Sequence, residues 1–212
     1  MRQLDFYEFA GLVVPGTATL VALMIFFPNL WPMSAGVAPT LGQISVGAVL
    51  AYGAGHVVQA LGNILESMWW RFQGGMPSDW VGKGACDFLH EKQLAALPAK
   101  ISEQLGLIGV TLNGDSRWHG VTRQIYAAVS AAGRADRIDT FNGNYGLCRG
   151  LAASLLVVSL LTVLLFGFQQ RTAILVTVSA FILCGWRAHR FGKHYARELF
   201  VQFLQLPTRE AR

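Results

Sequence analysis

Hydrophobic positions along this chain gather into long, almost charge-free runs separated by one polar block. No charged residue occurs between Glu8 and Glu66, or between Arg149 and Arg171. A membrane-crossing helix needs ~20 apolar residues. The runs accommodate four such helices, at about 9–28, 43–65, 150–168 and 172–188. The last is short, and Arg187 and Arg190 at its end are expected to extend their heads to the interface. Pro15-Gly16 inside the first run predicts a kink. Residues 1–9 mix aromatic and acidic side chains and suit an interfacial helix. Asn29-Leu-Trp-Pro-Met marks the far interface, where Trp is favoured.

The polar block between the second and third runs is about 80 residues long. It opens on the aromatic-basic girdle Met68-Trp69-Trp70-Arg71 and a Gly74-Gly75-Met76-Pro77 turn. Short helical patterns follow at about 79–95, 98–106 and 118–134, with Asn113-Gly114-Asp115-Ser116 breaking the run before the third. Residues 138–166 read as one long helix, against which Gly143, Gly146 and Gly150 argue. After residue 186 the tail is amphipathic. Phe191, Tyr195, Leu199, Phe203 and Leu206 share a face suited to the inner leaflet or to docking on the insert. The expected fold is therefore an all-α membrane protein with four transmembrane helices and a small helical cytoplasmic insert between the second and third. Its parts are an N-terminal transmembrane hairpin (1–66), the insert (67–148), a C-terminal transmembrane hairpin (149–188) and a cytoplasmic tail (189–212). The insert is too small to bury a large core alone, so an oligomer or a partner is expected to complete it.

Charge fixes the orientation. Every Lys and Arg except Arg171 lies at the N-terminus, in the 66–149 segment or in the tail from Arg187. The positive-inside rule then places both termini and the insert in the cytoplasm, at a bacterial inner membrane. The net charge of +5 reflects this bias, so direct nucleic-acid binding is not expected. The acidic residues beside Arg2, with the long apolar stretch behind them, argue for a retained span rather than a cleaved signal peptide. Cys86, Cys148 and Cys184 are isolated and offer neither a disulfide framework nor a CxxC zinc pair.

One pattern is richer than composition. In the second run Tyr52, His56, Gln59, Asn63 and Glu66 recur at spacings of three and four. At ~100° per residue they form a single stripe about 80° wide. Gly47, Ala51, Gly55 and Gly62 form a neighbouring stripe of small residues suited to close helix packing, within one chain or between copies. Polar groups at membrane depth face protein or water. The seam is thus expected to line a pore or an interface, with His56 either facing a cavity or bonding to a neighbouring helix. A pore lined by all five would be polar and weakly cation-preferring. Arg117, Arg123, Arg134, Arg137 and Arg149 form a basic series beside Trp118, Tyr126, Phe141 and Tyr145, read as a docking surface for an acidic partner, nucleotide or nucleic acid, or as charge facing the inner leaflet.

Catalytic and cofactor signatures are absent from the sequence. His189 and His194 are five apart and have no acidic partner nearby until Glu198, and His90-Glu91 lacks a second His. No Walker loop, GxGxxG or Gly-x-Ser-x-Gly occurs. No metal, cofactor or enzymatic activity is expected.

Short motifs carry a resemblance: Asp5-Phe-Tyr-Glu-Phe-Ala-Gly with Pro15-Gly16 soon after, Gly55-His56 four residues beyond Tyr52, Gly75-x-Pro77, and Asn144-Tyr145-x-Leu147-x-Arg149. About a quarter of the chain resembles small multi-span bacterial inner-membrane proteins associated with anti-phage defence modules. The resemblance implies an effector or sensor that oligomerises in the membrane and couples to a cytoplasmic protein. It singles out Pro15, Gly16, Gly55, His56, Pro77, Tyr145 and Arg149. Two functions follow as expectations. One is an oligomer that alters membrane permeability in response to a cytoplasmic partner. The other is a non-conducting anchor that recruits a soluble effector through the insert.

Overall fold

The computed structural model describes residues 9–27, 40–114 and 117–207. All but the last residue of the expected interfacial segment 1–9, the far-side connection around Trp31, and Asp115-Ser116 of the break before the third helical pattern lie outside these residues. The described residues are helical, without strands. A π-helical turn, Phe9–Val13, leads into α1 (Val14–Phe26). There follow α2 (Leu41–Phe72), α3 (Pro77–Gly82), α4 (Glu91–Leu105), α5 (Trp118–Ala131), α6 (Asp136–Phe166) and α7 (Arg171–Leu204), with a 3-10 turn, Gly167–Gln170, between the last two. Two helical stretches, Leu41–Gly82 and Asp136–Leu204, are long and apolar enough to cross a membrane, and Gly11–Phe26 is a shorter apolar helix.

The chain divides into two compact units, Met1–Met68 with Gly143–His189 and Trp69–Asn142 with Arg190–Arg212. In the first, the long second stretch turns back on itself. Gly167 takes a left-handed φ of 58°, which only glycine adopts without strain. On either side of it the Ser159 hydroxyl donates to Thr177 Oγ1 at 2.7 Å, nearly equidistant in sequence from the turn. The outward sides of these helices are aliphatic and exposed, as at Val49, Val57, Leu164 and Leu175. Pro15 sits in the first turn of α1, directly after the π-helical turn. The irregularity that its missing N–H predicts thus appears as a change of helix type at Val13–Val14. The Thr19 hydroxyl donates to the Pro15 carbonyl at 3.0 Å and lies 2.8 Å from Ser154 Oγ, tying α1 to α6.

The second unit has its own apolar core. Leu97 and Ile101 of α4, Ile125 and Val129 of α5, and Leu199, Phe200 and Phe203 of α7 are all fully buried. The Trp118 ring stacks on Phe200 at 5.9 Å, and its Nε1 donates to the Ser78 carbonyl at 2.7 Å. The tail therefore packs on the insert and completes its core, with the units dividing between His189 and Arg190. A core supplied from within one chain also removes the need for an oligomer or a partner to build it.

The helical pattern near Pro98 is corrected too. One helix, Glu91–Leu105, runs through this proline, and the interruption falls earlier, after Gly82. An interior proline costs about 3 kcal/mol. The apolar period Leu94, Leu97, Ile101 continues across it, and burial of that face offsets the cost. His90 and Gln93 cap the start, and Gly106 ends the helix with a left-handed φ of 67°. Replacing Trp118 by Phe keeps the stacked ring and leaves the Ser78 carbonyl without its donor. We expect a loss of about 1 kcal/mol from the second unit in chemical denaturation of the whole chain.

Candidate functional site

The site is built on α2, on the face that meets the first turns of the chain and α6. Laid out at ~100° per residue, the five seam residues run across the stripe in the order Glu66, Gln59, Tyr52, Asn63, His56. The structure treats the two edges of this stripe differently.

Glu66 and Gln59, on the inner edge, are held by Arg149 of α6. The guanidinium donates to Gln59 Oε1 from Nη2 at 2.9 Å and from Nε at 3.2 Å. Its Nη1 pairs with Glu66 Oε2, and both side chains are only 16% exposed. Gln59 Nε2 in turn donates to the Gly146 carbonyl at 3.0 Å and to the Gly11 carbonyl. One glutamine thereby fastens the entry turn, α2 and α6 together. Arg149 lies over the Tyr145 ring, 5.7 Å from its centroid. Its planar fork suits this bidentate use better than a lysine ammonium would.

The small-residue stripe lets the backbones come close enough for these bonds. A Cβ on Gly16 would run into the Ala51 carbonyl, and one on Gly55 into the Leu12 carbonyl. One on Gly62 would meet Arg149 Cγ at 3.2 Å, and one on Gly150 would meet Gln59 Nε2 at 2.7 Å and Pro15 Cγ at 2.8 Å. Ala51, Gly55 and Gly62 thus serve packing within the chain. Gly47 does not, because a Cβ there meets nothing within 4 Å. Of the glycines that argue against a continuous α6, Gly150 is explained by the same contacts, because it makes room for Gln59 and Pro15.

Tyr52, Asn63 and His56 make up the other edge and are exposed. The Tyr52 and His56 rings meet edge to face at 4.7 Å. The five residues therefore do not form one continuous lining. Two belong to an intramolecular lock, and three face outward beside Val49, Val57 and Ile64.

Arg149 is the residue that periodicity missed, since the basic series absorbed it. A signal existed. Glu66 and Arg149 are the charges that bound the apolar runs, and they are each other's partners.

Of the docking arginines, Arg134 donates to the Gln205 carbonyl at 3.2 Å, and Arg137 lies 3.8 Å from Glu198. Arg117 and Arg123 are exposed. Pro77 is buried at the start of α3. The described cysteines are free thiols, and burial pushes the Cys86 thiol up, away from the reactive thiolate. Among the described residues, no three His, Cys, Asp or Glu side chains gather as a metal site.

Against known proteins, no family model, curated protein or solved structure matches this chain.

Proposed function

We propose that this is a non-enzymatic, self-associating membrane protein with four spans, both termini and the second unit cytoplasmic, acting at a bacterial inner membrane as an effector or sensor. One observation carries the reading. Tyr52, His56 and Asn63 stand exposed on the outward edge of the polar stripe, in an otherwise aliphatic span. His56 lies about 15 Å along the helix from Glu66, inside the hydrocarbon. A polar group facing lipid there is costly. A second copy presenting the same edge offers hydrogen-bond partners and removes the cost. Gly167 and the Ser159–Thr177 bond support two spans in the C-terminal stretch, and the distribution of Lys and Arg supports the orientation.

The output of the assembly is a change in membrane permeability, coupled to a cytoplasmic partner in a defence setting, as the resemblance of the short motifs implies. The anchor reading has its own support: Gln59 and Glu66 are committed to Arg149, which leaves fewer polar groups to line a pore. Ion flux through liposomes carrying the oligomer separates the two, since an anchor conducts nothing.

Self-association is tested with Tyr52→Phe, His56→Leu and Asn63→Leu combined. Interhelical hydrogen bonds in membranes contribute ~0.6–2 kcal/mol each. With three such groups removed, the triple variant should associate at least about 20-fold more weakly in vesicles, read by energy transfer between labelled copies. Unchanged association would remove the edge from the interface.

A further inference from the structure

The second unit holds a cleft of its own. It encloses about 340 Å³ and is lined by Arg137 and Phe141 from the start of α6 and by His194, Arg197, Glu198 and Val201 of α7. We propose that this cleft binds a nucleoside phosphate, with the base against the Phe141–His194 stack and the phosphates on Arg137 and Arg197.

The lining is arranged for a ligand that is both flat and anionic. Phe141 and His194 are stacked, with centroids 5.5 Å apart and planes 26° from parallel, and Phe191 supports the Phe141 ring at 6.4 Å. That is an aromatic platform already held in place, and stacking a base on such a ring is worth ~1–3 kcal/mol. Arg137 extends over Phe141, 5.8 Å from its centroid, with its side chain 71% exposed. Arg197, one turn from His194, is exposed too. Two guanidiniums line the cleft together with this platform and offer forked donors suited to phosphate oxygens.

Glu198 is the single acid in the lining. Its carboxylate accepts from Gln202 Nε2 at 2.9 Å and lies 3.8 Å from Arg137 Nε. That longer contact leaves Arg137 donors for a ligand, while the carboxylate can accept from a ribose hydroxyl or an exocyclic amine. An isolated inorganic anion would use the arginines and leave the aromatic wall idle. The volume lies at the small end of ligand pockets and suits one mononucleotide rather than a polymer.

The test is calorimetric titration of ADP into the full chain in nanodiscs, with inorganic pyrophosphate as the second probe. ADP should bind, and pyrophosphate at least about tenfold more weakly, because only the nucleotide engages the stack. Arg197→Gln, at an exposed position where folding is not at stake, should weaken ADP about tenfold or more. Phe141→Leu, checked for an unchanged melting curve, should bring ADP down to the pyrophosphate level. Absence of ADP binding, ADP binding that survives Arg197→Gln, or equal affinity for the two probes would overturn the proposal. If Phe141→Leu unfolds the unit, the Arg197→Gln result and the comparison of probes still decide it. None of these outcomes depends on self-association in the membrane.

Discussion

Replacing Arg149 by Ala should destabilise the protein by about 3–5 kcal/mol, the cost of breaking a buried ion pair from one side. The loss exceeds the value of the contact itself. Glu66 is left as a shielded charge without its partner, and Gln59 Oε1 loses both of its guanidinium donors. Gln59 is then less firmly held for its bonds to the Gly146 and Gly11 carbonyls, so the entry turn loosens from α2 and α6. The reciprocal prediction sharpens the point. Arg149→Leu combined with Glu66→Leu removes both charges and should recover most of the stability, because well-packed apolar groups often replace a buried pair without loss. Denaturation of the detergent-solubilised protein, read by helical signal, measures all of these. A loss below about 1 kcal/mol for Arg149→Ala would mean that the pair is effectively in water.

Gly55→Ala should cost about 3 kcal/mol or more, although alanine is the better helix former by about 1 kcal/mol. The added methyl has nowhere to go. It would meet the Leu12 carbonyl, and backbone cannot swing aside as a flexible side chain can. The two helices must separate, and Gly16, whose own Cβ position is blocked by the Ala51 carbonyl, moves with them. Gly47→Ala is the matched control on the same helix. Nothing lies within 4 Å of its added methyl, so it should be neutral or slightly stabilising. The same denaturation experiment compares them. Equal tolerance of the two substitutions would rule out the close backbone approach.

The contrast between those two glycines shows what the sequence made legible. A stripe of small residues at helical spacing declares a packing face, and three of its four members serve as one. Periodicity alone could not tell that Gly47 lies outside the crossing, because the crossing point is set by the position of Gly16 on another helix. The polar seam was legible as a stripe for the same reason that helix faces always are. Its division into an engaged and an exposed edge depends on Arg149, about 80 residues further along the chain, and helical spacing carries no information at that range. The tail's apolar face was legible, but its occupant was not. Leu199 and Phe203 fit a bilayer surface and a protein core equally well by hydrophobicity, and only the facing Leu97, Ile101 and Ile125 decide between them. The break drawn between 95 and 98 is bridged for a related reason, since burial on both sides of Pro98 outweighs the local cost of the proline.

The account rests on the outward polar edge being covered by another copy of the chain. The most direct test is the mass of the protein extracted with its surrounding lipid, without detergent exchange. One chain is 23.1 kDa. The account predicts a discrete multiple of that mass, falling toward a single chain when Tyr52, His56 and Asn63 are replaced by Phe, Leu and Leu. A wild-type protein found as a single chain in its own lipid would contradict it.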